Sequence, residues 1–276
     1  MDWKSAKTIL ILVFAALNLV LAITLYQNIK GGEISQETIY NTQKILEQND
    51  VHIECPIPRY TGKDYILQYE ETILDKKKVL NSFLGDKYSI ISNNMYIKGT
   101  EKLAFNSDCS FEYIDTGSNL KITSQSKSSV EAYLKELSKK TGIPFNEFQL
   151  DSFSSLLSGE GTRAVYKGVY NGYSVFDNYI EVIVADSGLK SLKLHYKKPM
   201  AITGRDVKVI PVYQILITKI TNYPGIFISD VDMGFKGLTK VDKETKTLYE
   251  GLSWRIKTDD GKEFYFNATN GEIMEP

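Results

Sequence analysis

Hydrophobic positions along this chain fall into three regimes. Thr8 to Tyr26 (TILILVFAALNLVLAITLY) carries no charge. At about 1.5 Å per residue it spans about 30 Å as a helix, the thickness of a bilayer's hydrocarbon core. Apolar residues then recur at helical spacing over Gln36 to Asn49, where Ser35 is the predicted N-cap and Ile39, Ile45 and Leu46 share a side. The same spacing returns over Val130 to Lys140, after the polar stretch SQSKSS and before the stop Thr141-Gly142-Ile143-Pro144. A further helix is predicted over Val212 to Thr221, with Pro211 suiting its first turn.

Period-two alternation predicts strands elsewhere. In the first half these are Val51–Cys55, Tyr65–Tyr69, Tyr88–Ile91, Lys102–Phe105, Phe111–Ile114 and Leu120–Ile122. In the second half, Arg163–Tyr170, Tyr173–Ala185 and Leu189–Tyr196 are joined at Asn171-Gly172 and Asp186-Ser187-Gly188. The segment LYEGLSWRIKTDDGKEFYFNATNGEI repeats strand, turn, strand, turning at Asp259-Asp260-Gly261 and closing near Asn270-Gly271. The expected class is α+β: a single N-terminal transmembrane helix followed by two domains, each an antiparallel sheet with helices on one face. The expected division is a cytoplasmic N-terminus (1–7), the membrane helix (8–26), a linker (27–34), a first extracytoplasmic domain (35–123) and a second with hairpin repeats (124–276).

The apolar run is too long for a signal-peptide core and lacks an A-x-A-like exit, so an uncleaved anchor is expected. Lys4 and Lys7 precede it, which puts the short N-terminus in the cytoplasm and the bulk of the chain outside the cell membrane. Thr8, Ala15, Asn18 and Ala22 fall on one face of this helix. Small residues permit close approach and a buried amide seeks a partner in hydrocarbon, which is the signature of a docking face for another membrane helix. The plainer reading is a lipid anchor that tolerates one Asn and a few Ala.

Composition narrows the function. With 276 residues, 42% hydrophobic content and a net charge of −1 spread along the chain, there is ample core and no electrostatic footprint for nucleic acid. Cys55 and Cys109 stand far apart and make either one bridge in an oxidising compartment or two buried free thiols. Asp115-Thr116-Gly117-Ser118 matches the catalytic quartet of an aspartic protease. Asp186-Ser-Gly188 and Asp259-Asp-Gly261 repeat its Asp-x-Gly core between apolar strands, so it reads as turn chemistry, with Asp115 in an exposed turn. His52 and His195 each alternate with apolar neighbours and are expected on a solvated face. Gly159-Glu-Gly161 lacks the third glycine of a phosphate cradle, and no catalytic, cofactor-binding or metal-ligating residue is nominated.

The opening MDWKSAKTILILVFAALNLVLA has a Met-Asp-Trp-Lys start, then Lys-Thr-Ile and one anchor helix containing Leu-Asn, and it resembles the YycI (WalI) family of Gram-positive bacteria. The aromatic strands at Trp254-Arg-Ile-Lys and Phe264-Tyr-Phe-Asn agree with that family's layout. The resemblance implies a non-enzymatic accessory protein without cofactor. With YycH, it would associate with the sensor histidine kinase YycG (WalK), whose two-component pathway governs cell-wall homeostasis. It also implies outer domains similar to those of YycH, with homo- or hetero-dimerisation open. The alternative is a PepSY-like wall-binding or protease-inhibiting module for which the anchor is only a tether.

Overall fold

Helices form where spacing and capping agree. The structure is a computed structural model describing residues 7, 11–21, 34–117, 121–122, 124–156, 159, 161–241 and 248–274. An N-terminal helix, α1, is described over residues 11–21. Helix α2 (Gln36–Gln48) begins at Ser35, whose hydroxyl accepts from the Thr38 amide, and it buries Leu46. Strands β1 (Val51–Ile53) and β2 (Lys63–Tyr69) follow, then α3 (Lys76–Phe83), which the sequence reading missed. Its eight residues open with three lysines, and its buried face is only Val79, Leu80 and Phe83.

Next come β3 (Ser89–Ser92), β4 (Met95–Lys98), β5 (Glu101–Ser107) and β6 (Ser110–Asp115). Lys121 and Ile122 form a bend rather than the expected strand. Helix α4 (Lys127–Thr141) is capped by Ser126 and ends on Gly142, whose φ of 78° closes the helix in the left-handed region. Strands β7 (Phe148–Ser155), β8 (Thr162–Tyr170), β9 (Tyr173–Ala185), β10 (Gly188–His195) and β11 (Pro199–Lys208) precede α5 (Val212–Thr218). The chain closes with β12 (Ile226–Val241), β13 (Leu248–Thr258), β14 (Glu263–Asn267) and β15 (Ile273–Met274).

The fold is α+β and dominated by sheet. Among the described residues fifteen strands are hydrogen-bonded into one sheet, whose main path runs β11-β2-β13-β12-β9-β10-β6-β5-β4-β3. Most pairings are antiparallel, but β1 and β9 each pair parallel with β12, so the sheet is mixed. Strands from either side of position 123 share it: β6 pairs with β10, and β2 lies between β11 and β13.

Two apolar clusters lie on this sheet. One, drawn from residues 74 to 196, packs α3 and α4 with Leu103, Phe111, Ile180 and Leu192. The other joins α2 and α5 to Leu67, Ile228, Phe235 and Trp254, whose indole donates to the Ile210 carbonyl at 2.8 Å. Strand β9 serves both, giving Val175 to the second and Ile180, Val182 and Val184 to the first.

The junction depends on a glycine. β9 meets β12 through two register pairs, Gly234 with Ser174 and Phe235 with Val175. A methyl group on Gly234 would collide with the Ser174 carbonyl oxygen and sit 2.8 Å from the Phe176 ring. Backbone cannot yield as a flexible side chain can, so G234A is expected to lose about 1–3 kcal/mol in urea unfolding. On the edge strand β11, a methyl at Gly204 would meet the Tyr65 ring at 3.4 Å, ordinary contact, so G204A should shift stability by less than about 0.5 kcal/mol.

Candidate functional site

Of the predicted helix-contact residues, Ala15 and Asn18 lie on α1, three positions apart and both exposed, whereas Thr8 and Ala22 lie outside the described residues. The apolar side chains around them are also open: Ile11, Leu12, Phe14 and Leu17 are between 56% and 65% exposed. No helix among the described residues is long and apolar enough to cross a membrane, and the predicted span continues beyond α1 at both ends.

The largest concentration of chemistry is a charged seam at the junction. Trp254 and Ile256 point into the core, so alternation sends Arg255 to the opposite face of β13. That face is closed by β7, β8 and β9, leaving Arg255 only 3% exposed. Its guanidinium donates to both oxygens of Asp232, at 2.8 and 3.0 Å. It also donates to Asp151 at 2.6 Å and to Glu263 at 3.1 Å, and lies 4.9 Å over the Phe176 ring. Lys257 donates to the other Asp151 oxygen at 3.1 Å, and Lys167 lies 3.6 Å from Glu263. Lys236 extends the seam, stacking over Tyr265 and donating to Asp177 at 2.9 Å.

Burial alone would raise the Asp151 carboxyl, but Arg255 and then Lys257 outweigh it and hold it below the usual range. Burial likewise opposes Arg255's charge, and Asp232 and Asp151 more than restore it. At Asp232 burial wins over Arg255, so that carboxyl is raised. The arrangement can keep a cation and its anions charged away from water, which is a structural rather than a catalytic use of charge. R255M should therefore lose about 3–5 kcal/mol at neutral pH in chemical denaturation, because the carboxylates of Asp151, Asp232 and Glu263, with the more exposed Asp230 beside them, would remain around an apolar chain. Part of the loss should be regained as pH falls and those carboxyls protonate.

At the far end of β13, Glu250 is fully buried; it accepts from the Tyr69 hydroxyl and lies 3.6 Å from the Lys197 ammonium. Its Oε1 has no hydrogen-bond partner. Burial, and next the Asp177 carboxylate, pushes Glu250 up to about 6. A raised carboxyl favours folding most below the ordinary value of about 4.5, where both states are protonated, and that contribution is lost as pH rises through about 6. The stability of the parent relative to E250Q should therefore fall by about 2 kcal/mol between pH 4.5 and 7.5, read from paired unfolding curves.

Two expectations about exposure are corrected. His195 is only partly exposed, and both ring nitrogens are engaged: Nδ1 bonds the Asp177 carbonyl and Nε2 lies 3.5 Å from Cys109 Sγ. Burial opposes both charged forms, yet their mutual hydrogen bond leads the opposing causes, lowering the Cys109 thiol and raising the imidazole. The pair ties the β5–β6 turn to β10. Asp115 is not in an exposed turn either: it is 2% exposed, and its Oδ1 accepts from the Gly117 amide at 2.8 Å and the Thr100 hydroxyl at 2.6 Å. The local reversal is the expected Asx turn, but it caps the end of β6 rather than joining a hairpin. His52 is half-exposed and stacks on Phe227 with ring centres 4.7 Å apart. Cys55 and Cys109 are both free. Among the described residues no group of three or more His, Cys, Asp or Glu side chains is placed to hold a metal ion.

The family model described as YycI protein matches residues 29–269. The chain belongs to the YycI family. The match starts beyond the Met-Asp-Trp-Lys opening and the uncharged run Thr8 to Tyr26, so YycI membership rests on the folded portion as well as on the N-terminal resemblance. Among solved structures, this YycI-family chain is similar to an uncharacterized protein from Eubacterium rectale, with 11% identity, a TM-score of 0.46 and coverage of 86% of this chain and 99% of that one. It is also similar to YycH from Bacillus subtilis, with 15% identity, a TM-score of 0.48 and coverage of 75% of this chain and 52% of that one. No curated protein matches the sequence.

The seam residues were not nominated from sequence. The signal was present in Ser-Trp-Arg-Ile-Lys, residues 253–257, where a charge sits between two large apolar neighbours in a strand.

Proposed function

We propose that this chain is a non-enzymatic, single-pass membrane protein whose folded portion lies outside the cell. In this reading it acts with YycH on the sensor histidine kinase YycG (WalK) and tunes two-component control of cell-wall metabolism. The observation that carries the proposal is the YycI family match over residues 29–269, since that family consists of accessory regulators of this system. Support for the anchor comes from the uncharged run Thr8 to Tyr26, the preceding lysines, and the all-round apolar surface of α1. Ala15 and Asn18 supply the small and polar positions by which such a helix meets another, with Thr8 and Ala22 extending the stripe.

A regulator of this kind must bind the kinase's signalling states unequally, or it would shift nothing. Outside the membrane, the seam couples the two halves of the sheet, so the outer portion would present one surface to a partner.

The test replaces Ala15 and Asn18 together with leucine in the full-length chain. Co-purification with the kinase is expected to drop about three- to tenfold, with reporter output changing in parallel. Exchanging residues 8–26 for an unrelated membrane helix should do the same. Undiminished complex and output in both variants would remove the helix contact from the proposal.

A further inference from the structure

Helix α4 does not seal against the sheet along its whole length. Between it and β7–β9 lies a cavity of about 640 Å³, within the range that encloses a small ligand. Its floor is a row of directly paired residues, Leu150, Tyr166 and Ile180, extended by Phe148 and Phe145 and roofed by Leu134. Tyr166 lines this space and is 5% exposed, and its buried hydroxyl has no hydrogen-bond partner. A buried hydroxyl left unpaired costs about 1–3 kcal/mol, which a bound acceptor would recover. Burial, then Glu131, pushes that phenol up to about 12, so it remains a donor at neutral pH.

The mouth is cationic. Lys127, Lys135 and Lys139 line it from one side of α4 and are exposed, against the single carboxylate of Glu131, which lies 3.8 Å from Lys127. An apolar slot with an unpaired donor and a net positive rim fits a molecule with one acyl chain and an anionic oxygen head. The volume suits one chain rather than two, and Glu131 disfavours a dianionic phosphate more than a singly charged carboxylate.

We propose that the α4–sheet cavity binds a fatty carboxylate, its chain against Leu134, Phe148 and Ile180 and its head held by the Tyr166 hydroxyl and the α4 lysines. This goes beyond the kinase contact and does not depend on it.

The experiment uses the full-length chain in nanodiscs of zwitterionic lipid and a diazirine analogue of hexadecanoate, with crosslinks mapped by mass spectrometry. Saturable labelling of residues 127–150 and 162–182, competed by hexadecanoate, is expected. Tyr166→Phe should cut labelling about three- to tenfold while leaving the denaturation midpoint equal or higher. The exposed pair Lys135→Glu and Lys139→Glu should cut it at least as much without unfolding the protein. A diazirine methyl ester and a diazirine monoacyl phosphate should both label less than the carboxylate. Labelling that is non-saturable, that maps elsewhere, or that survives both sets of substitutions would overturn the site; equal labelling by the ester or the phosphate would overturn the carboxylate assignment.

Discussion

A guanidinium shut away from water must be surrounded by anions, and Arg255 meets this requirement with carboxylates from three strands. Asp232 lies beside it on β12, Glu263 on β14, and Asp151 reaches across from β7. That last contact joins one half of the sheet to the other. The close approach at Gly234, the stacking of Phe176 beneath the guanidinium and the position of Lys167 all follow from bringing these two polar faces together. Charge satisfaction, rather than added apolar area, sets how the halves meet.

The same arrangement explains what could be read along the chain. Helices α2 and α4 were legible because their caps and apolar faces are local, and the β9–β10 hairpin because its turn residues sit between clear alternations. Strand β12 was missed: Gly234 and Gly237 interrupt it, and Asp230, Asp232 and Lys236 make it read as polar. Strand β11 was missed for the opposite reason, since as an exposed edge it has no buried face to print a pattern. The misplacements of His195 and Asp115 have different causes. For His195, period-two reasoning assigns the face opposite the core to solvent, whereas that face meets the Asp177 carbonyl and Cys109. Asp115 was read from turn chemistry alone, and it falls on the core side of β6 with Phe111 and Tyr113.

Among the candidate site residues, Ala15 and Asn18 were nominated because a long apolar run makes any small or polar position conspicuous in the sequence. The seam and the α4 cavity were not, since both are made by residues from distant segments that no local pattern brings together. The two buried clusters share a strand, β9, that passes from one to the other.

Chain order also sets an order in time. The cluster holding α3 and α4 is complete within residues 74 to 196, so it can close as soon as that stretch has been made. Strand β2 has no such luck, because its neighbours β11 and β13 lie far downstream, and β1 must likewise wait for β12. A chain emerging N-terminus first therefore finishes its middle before its beginning. During that interval the earliest strands stay unpaired, with open edges that invite wrong partners until the last strands arrive.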